Sequence, residues 1–521
     1  MRKRTESKKE QQNFYRKPLE AISGVETKLQ QAFSLYQEGK TQQAEKICQQ
    51  VLANYPLNAA AIHILGVIAH GEGKHNIAVG LIKRAIELDP KQSAFYNNLG
   101  NVLREQEILD ESAQAYSKAI QLQPNSAEIY NNLGVVLQEQ GKLKEAIQAY
   151  EKAIEIRPDC TGVYINFGNV LQEQGEVEKS IQTYRKAIQI QPDSAEAHKN
   201  LGMSLLLTGS FDDGWKQFAW RWQCKDFISE KRHFPQPNWD GSNLRSKTIL
   251  VWAEQGIGDE IMFASMLSDL LEMGDNIIVE CDARLIPLLQ RSFPKIQFLP
   301  RQVPPDPQLF DTNIDYQIPM GNLGQWLRFN KDSFTAGNYL LPCSKRVLQL
   351  KGKYRSLSND KLLIGISWKS INRDIGKTKS TLLEDWTSVL SQDGCYFINL
   401  QYGDTKSEIE EYVSDKKHIL IYQDKEINPL TDLDGFAAQV SALDLVISTS
   451  NTTVHLAGAL GQNVWTLLRL VPSWRWMTQR TDTLWYPKMR LFRQQQLGNW
   501  SHVFDEVKQA LENYIASDWK Q

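Results

Sequence analysis

Two different periods of apolar and polar positions run along the chain, and one gives way to the other before its middle. In the first part the prolines Pro56, Pro90, Pro124, Pro158 and Pro192 fall 34 residues apart. The pairs Leu65-Gly66, Leu99-Gly100, Leu133-Gly134, Phe167-Gly168 and Leu201-Gly202 keep the same step, as do Ala85, Ala119, Ala153 and Ala187. Glycines recur at Gly39, Gly73, Gly141, Gly175 and Gly209, and the one lapse in that series is Glu107. Such a unit predicts a helical hairpin: small residues let its two helices approach, glycine permits the turn, and proline closes the second helix. A single hairpin cannot bury its own apolar face, so the units are expected to stack into a superhelix.

This pattern resembles the tetratricopeptide repeat, with about five full repeats over roughly 26 to 197 and a partial sixth beyond. Asparagine keeps the register at Asn98, Asn132, Asn166 and Asn200. A primary amide both donates and accepts, so a ladder of them suits the backbone of an extended peptide in the groove, an arrangement that resembles the superhelix of the O-linked N-acetylglucosamine transferases. The competing assignment is a polar residue filling the inner face of each hairpin. The repeats also admit self-association into a homo-oligomer. Past Gly209 the period ends in GWKQFAWRWQ, expected to form a capping helix whose Trp215, Trp220 and Trp222 pack rather than bind a ligand.

From Lys247 the grammar becomes short apolar strands alternating with amphipathic stretches: TILVWA, NIIVE, LLIGISW, CYFINL, HILIY, LDLVIS and NVWTLL. That alternation predicts parallel sheets with crossover helices. The expected fold is therefore α plus α/β: a basic, disordered segment 1–25, a helical solenoid 26–213, a cap and linker 214–245, and two Rossmann-like lobes at 246–356 and 357–521. The final stretch SHVFDEVKQALENYIA is expected to pack back across the lobes.

Composition narrows the partners. A net charge of −2 and a charged fraction of 23% give no global field for nucleic acid or anionic membrane. The six scattered cysteines show no CxxC pair and no zinc spacing, and no run approaches the length of a spanning helix. These features fit a cytoplasmic protein without a transmembrane segment.

Two strand-to-helix junctions carry candidate chemistry, because ligands of parallel sheets bind at the carboxyl ends of strands, where helix N-termini present N–H groups. In VWAEQGIGDEIMFA, Gly256 and Gly258 let a substrate approach the backbone, while Glu254, Asp259 and Glu260 concentrate acid. Asp259 is read either as a helix N-cap or as a catalytic carboxylate. In ISTSNTTVHLAGALG, Ser450, Asn451, Thr452 and Thr453 surround a second helix start, a cradle suited to a diphosphate, and His455 is either a further donor to that anion or a structural histidine.

These two segments, with the tail WRWMTQRTDTLWYPKMRLFRQ, resemble the bacterial glycosyltransferases that follow a repeat array and whose catalytic part is similar to the lipopolysaccharide heptosyltransferases, glycosyltransferase family 9. The resemblance implies a GT-B fold, with the acceptor against the first lobe and a nucleotide-sugar donor against the second. It implies that Asp259 is the base, and that Ser450 to His455 with Lys369 and Lys379 hold the donor diphosphate. Arg373 and Lys377 lie in the same basic stretch, any of whose members is alternatively a solvated loop residue. Ser450 stands where relatives carry an aspartate, which leaves the donor open. The only Asp-x-Asp pair after the repeats, Asp432-Leu433-Asp434, reads as a helix cap, so no metal and no cofactor beyond the nucleotide-sugar is expected. Trp474, Trp476, Trp485 and Tyr486 either stack on a ligand or seal an interdomain seam. The alternatives to a transferase are a repeat scaffold with an inactive transferase-like domain, and a nucleotide-sugar epimerase.

Overall fold

The computed structural model describes residues 24–254, 256–335, 337–370, 376–416 and 418–517. The basic N-terminal stretch before residue 24 and Arg373 lie outside the described residues, as does the side chain of Lys377. The chain forms two compact units, one reaching to Glu173 with Gln189–Pro192, the other comprising Gln174–Ile188 and everything from Asp193 onward.

The 34-residue period becomes helical hairpins: 24–37 with Thr41–Asn54, Ala59–Gly71 with His75–Leu88, Ser93–Glu105 with Leu109–Leu122, and Ala127–Glu139 with Leu143–Ile156. The small residues have the expected steric purpose. A Cβ on Gly100 or Gly134 would stand 2.7 Å from the ring of Tyr116 or Tyr150 on the partner helix. Ala85, Ala119 and Ala153 are fully buried at the helix crossings. The turn glycines adopt left-handed backbone, with Gly73 at φ +75° and Gly141 at φ +75°, and Glu107 adopts the same conformation at φ +59° in spite of its side chain. The turn geometry therefore belongs to the repeat, and glycine only makes it comfortable.

The second unit takes in most of the helix Val177–Ile190 and then the last array helices, Ala195–Thr208 and Phe211–Phe218, followed by a 3-10 turn at Ala219–Gln223. Trp215 is buried, donates from Nε1 to Arg328 O at 2.9 Å, and meets Trp474 edge-on at 5.2 Å. Trp220 stacks on His198 at 4.0 Å, and Trp222 contacts Trp252 at 4.9 Å. All three tryptophans thus pack within the unit.

Two all-parallel sheets follow. The first is β1 (Thr248–Trp252), β2 (Asn276–Cys281), β3 (Gln297–Pro300) and β4 (Tyr316–Pro319), in the order β3-β2-β1-β4. The second is β5 (Leu362–Ser367), β6 (Cys395–Asn399), β7 (Ile421–Tyr422), β8 (Leu445–Thr449), β9 (Val464–Leu468) and β10 (Met489–Arg493), in the order β10-β9-β8-β5-β6-β7. In the second sheet the first strand lies centrally with the next two on one side and the last three on the other, the order of a doubly wound nucleotide-binding sheet. The first sheet follows the same order but stops after its fourth strand. Between the sheets, the connecting segment contains the helix Ser344–Ser358.

The C-terminal helix Ser501–Ala516 corrects an expectation. Val503, Phe504, Val507 and Leu511 join the core of the second sheet, with Phe504 5.3 Å from Trp386, so the helix closes the second lobe. The tail aromatics instead join the larger core that includes Phe263 of the first lobe.

Candidate functional site

Each sheet has a topological switch point, where neighbouring strands are followed by crossovers on opposite sides and their carboxyl ends leave a crevice. In the first sheet it lies between β1 and β4, in the second between β5 and β8. The two candidate segments of the sequence are the ones that follow β1 and β8.

After β1, Gly256 is the N-cap residue of the helix Ile257–Ala264, so Asp259 sits in the first turn and its carboxylate is not the cap. The three acids of this segment diverge. Glu254 is buried behind the crevice, where Arg221 binds both of its carboxylate oxygens at 2.8 and 2.6 Å and Gly321 N donates to it at 2.6 Å. Glu260 turns the other way to accept from Asp282 N at 2.8 Å, and burial pushes its carboxyl up to about 8. It borders a separate cavity of about 420 Å³ shared with Asp282, Arg284 and Arg301. Asp259 alone faces the cleft between the lobes, where Arg475 of the second lobe pairs with it.

After β8, Asn451 caps the helix Thr452–Ala459 by accepting from Thr453 N at 2.9 Å. Its amide also donates to Ser367 Oγ at 2.7 Å and Lys369 O at 3.0 Å, tying the end of β8 to the end of β5. Ser450 Oγ accepts from Trp476 Nε1 at 2.8 Å. Trp476 in turn stacks on His455, whose Nδ1 lies 2.9 Å from the Tyr486 hydroxyl. Burial, with Arg475 and Lys379 nearby, holds the His455 imidazole well below its ordinary pKa, so the ring is neutral.

The two helix starts meet. A Cβ on Gly258 would lie 3.1 Å from His455 Cδ2 and 3.6 Å from Thr452 Cα, so any larger residue would press the His455 ring where the two helix starts meet. Gly256, Gly258, Asp259, Ser450, Asn451, Thr452, His455 and Lys379 line one cavity of about 370 Å³. Lys379 is depressed to about 8 by burial and by the neighbouring Arg475 and Arg469. The cavity thus sets two cations, Lys379 and Arg475, and a helix N-terminus beside one carboxylate, Asp259, a combination that can attract an anion.

Three predicted residues stand apart from this cavity. Lys369 pairs with Glu408 at 2.7 Å, Thr453 is buried beneath the helix start, and Glu254 is held by Arg221. Sequence reasoning passed over Arg475, Ser473, Ser370 and Tyr402, which also line the cavity. Arg475 had a signal: it is the charge between the two tryptophans of WRW, and its guanidinium lies 4.6 Å from the Trp474 ring.

In the array, the asparagines form rungs between consecutive repeats. Asn98 Nδ2 donates to His63 Nε2 at 2.9 Å, Asn132 Nδ2 to Asn97 Oδ1 at 3.2 Å, and Asn166 Nδ2 to Asn131 Oδ1 at 2.9 Å. Asn200 is buried in the second unit.

Comparison with known proteins matches the first part to the families described as TPR repeat, over 100–141 and 168–209, and tetratricopeptide repeat, over 127–160 and 26–58. The chain is a tetratricopeptide-repeat (TPR) protein with a C-terminal α/β region of two parallel sheets. Protein FlbA of Caulobacter vibrioides is 31% identical over 328 residues, which is 60% of this chain and 54% of that protein. The mouse protein O-mannosyl-transferase TMTC1 is 32% identical over 82 residues, 15% of this TPR chain and 9% of that protein. The TPR chain thus spans about half the length of the first of these relatives and far less of the second. Among solved structures, Pseudomonas aeruginosa PilF superposes with a TM-score of 0.35 at 23% identity, over 38% of this chain and 89% of that one. YrrB, described as a TPR protein with an unusual peptide-binding site, gives 0.29 at 18% identity over 33% and 89%. No described helix of the TPR protein is long and apolar enough to cross a membrane.

Proposed function

We propose that the α/β region is a GT-B glycosyltransferase that moves a sugar from a nucleotide-sugar to an acceptor, a protein or a surface glycan, bound by the TPR groove. The observation that carries this reading is the single cavity in which Asp259, from the first sheet's switch point, faces Lys379, Arg475 and the Asn451-capped helix of the second. The acceptor hydroxyl attacks the anomeric carbon, its proton passes to Asp259, and the bond from that carbon to the diphosphate oxygen breaks. Charge growing on the diphosphate is met by Lys379, Arg475 and the helix N-terminus. Arg475 can turn from Asp259 to the diphosphate, which would free the carboxylate only when donor is bound.

His455 is assigned a positioning role. Its neutral ring, fixed by Tyr486, stacks on Trp476, whose Nε1 donates to Ser450 Oγ at the cavity wall, so His455 acts on the site through Trp476. The Asp432 and Asp434 carboxylates are engaged by Arg346 at 2.6 Å and Arg291 at 2.7 Å, and Asp432 caps the helix Leu433–Ser441, which fits a reaction that does not route through them.

A second reading, a TPR scaffold whose transferase-like region has no turnover, is favoured by one observation: the Ser450 hydroxyl, at the position where the resemblance to the heptosyltransferases implies an aspartate, is already occupied by Trp476. A thermal-shift screen of UDP, GDP, ADP and CMP, with their sugars, separates these readings in part. Ligand at about 100 times its Kd stabilises the fold by about 2.7 kcal/mol. Donor hydrolysis that disappears in Asp259→Ala supports the enzyme; nucleotide binding without hydrolysis or transfer supports the scaffold. No response to any nucleotide removes the basis of the enzyme reading and leaves the scaffold.

A further inference from the structure

We propose that the TPR array carries a site for a single zinc-class divalent cation, formed by His70, His75 and Glu105. His70 is in the last turn of the helix Ala59–Gly71, His75 opens the helix His75–Leu88, and Glu105 closes the helix Ser93–Glu105 of the next repeat. Gly73, in left-handed backbone at φ +75°, folds the chain back between the two histidines. Their ring centroids come within 5.6 Å of each other.

The geometry is that of a ligand set. His70 Nδ1 lies 3.6 Å and His75 Nδ1 3.8 Å from the same oxygen, Glu105 Oε2. All three candidate ligand atoms fall within 4.8 Å of one another. Tetrahedral zinc with bonds of about 2.0–2.1 Å holds its ligand atoms about 3.4 Å apart, so each nitrogen-to-carboxylate distance needs to close by only about 0.2–0.4 Å, and the two nitrogens must approach by at most about 1.4 Å, within reach of a rotation of the rings.

The second observation concerns what these nitrogens lack. Both Nδ1 atoms are buried, and neither has a hydrogen-bond partner among the described residues. The Glu105 oxygen is too distant from either for a hydrogen bond. A buried, unpaired polar atom is costly, and two aimed at one carboxylate oxygen are better explained by a shared cation than by separate coincidences. Two imidazoles and a carboxylate select a borderline cation of the zinc, nickel or copper type over the oxygen-preferring magnesium and calcium. Three protein ligands leave the fourth position for water. The bound ion would clasp three helices of two adjacent repeats.

No linear zinc motif announces this site. Five positions separate the histidines across a turn, and the glutamate lies 30 residues further on, at the same 35-residue offset from His70 that joins Asn132 to Asn97.

The test is calorimetric titration of the tag-free, metal-stripped full chain with Zn²⁺, with the visible spectrum of Co²⁺ as a second readout. Expected are one equivalent per chain with micromolar or tighter affinity, an intense four-coordinate cobalt band displaced by zinc, and at least tenfold weaker binding in both His75→Ala and Glu105→Gln. Glu105 is half exposed, so its isosteric variant keeps the test meaningful if His75→Ala folds poorly. Absence of uptake, uptake unchanged in Glu105→Gln, or equal affinity for Mg²⁺ would each overturn the assignment.

Discussion

Arg475 of the second lobe and Asp259 of the first form an ion pair across the cleft. The guanidinium is also held by its own donation to Ser473 Oγ at 2.7 Å and by the face of Trp474. In the proposed reaction the carboxylate accepts a proton and the guanidinium meets the leaving diphosphate, so the two residues should separate in kinetics. Asp259→Asn is expected to lower transfer by at least about 100-fold, the scale of a lost general base, while nucleoside diphosphate affinity changes little. Steady-state transfer alongside nucleotide calorimetry checks this; equal loss of both would place Asp259 in binding alone.

Arg475→Ala should show the opposite weighting. A charge-assisted hydrogen bond contributes about 1.5–3 kcal/mol, so nucleoside diphosphate affinity is expected to fall at least about tenfold. Unchanged affinity by calorimetry would show that the diphosphate does not reach this side of the cavity.

Lys379 gives the site a pH signature. Burial, Arg475 and Arg469 lower its pKa to about 8, while the facing Asp259 opposes them and the neutral His455 adds no charge. A bound diphosphate favours the protonated amine and raises that pKa, so binding takes up a proton and weakens as pH rises through about 8. For the unliganded fold the sign is reversed. The unfolded lysine binds its proton more tightly than the folded one, so this residue's contribution to stability increases with pH between about 8 and the ordinary lysine range. Calorimetry in buffers of different ionisation enthalpy measures the proton uptake, and Lys379→Met should abolish it.

The buried pair Arg221–Glu254 ties the 3-10 turn after the array to the start of the first crevice, with Asn322 and Gly321 N completing its hydrogen bonds. Removing one partner leaves the other charge buried, so Arg221→Ala or Glu254→Ala is expected to cost about 3–5 kcal/mol. Chemical denaturation should resolve this as a loss in the unit that contains the two sheets.

Much of this molecule was readable from local pattern, and what was not has a physical reason. The repeat declared itself because each hairpin reuses the same contacts, Gly100 on Tyr116 and Gly134 on Tyr150. Strands β1, β2, β5, β6, β7, β8 and β9 stood out as apolar runs, although only the end of HILIY forms β7, whereas QFLP, YQIP and MRLFR, which form β3, β4 and β10, are short or charged edge-type strands without a continuous apolar signal. At the site, glycine-rich and hydroxyl-rich junctions marked where helices begin. Position along the chain did not reveal that Glu254, Asp259 and Glu260 point to three different environments, because direction around a first helical turn is decided by packing. Nor did it bring Arg475 to Asp259, a contact made 216 residues apart through the meeting of two lobes.

Glu107 tests the reading of the repeat itself. It occupies the left-handed turn position held by glycine in the neighbouring repeats, at φ +59° against +75° for Gly73 and Gly141. A side chain in this conformation costs about 1–2 kcal/mol relative to glycine, and the greater freedom of glycine in the unfolded chain returns part of that difference. Glu107→Gly is therefore expected to stabilise the array by about 0.5–1 kcal/mol, although it removes a helix-compatible residue. Glu107→Val, branched at Cβ, should destabilise it by a similar or larger amount, because its side chain is crowded in left-handed backbone. Thermal and urea unfolding of the two variants provide the comparison. If both behave like the parent chain, the turn relaxes out of the left-handed region, and the repeat geometry depends on glycine after all.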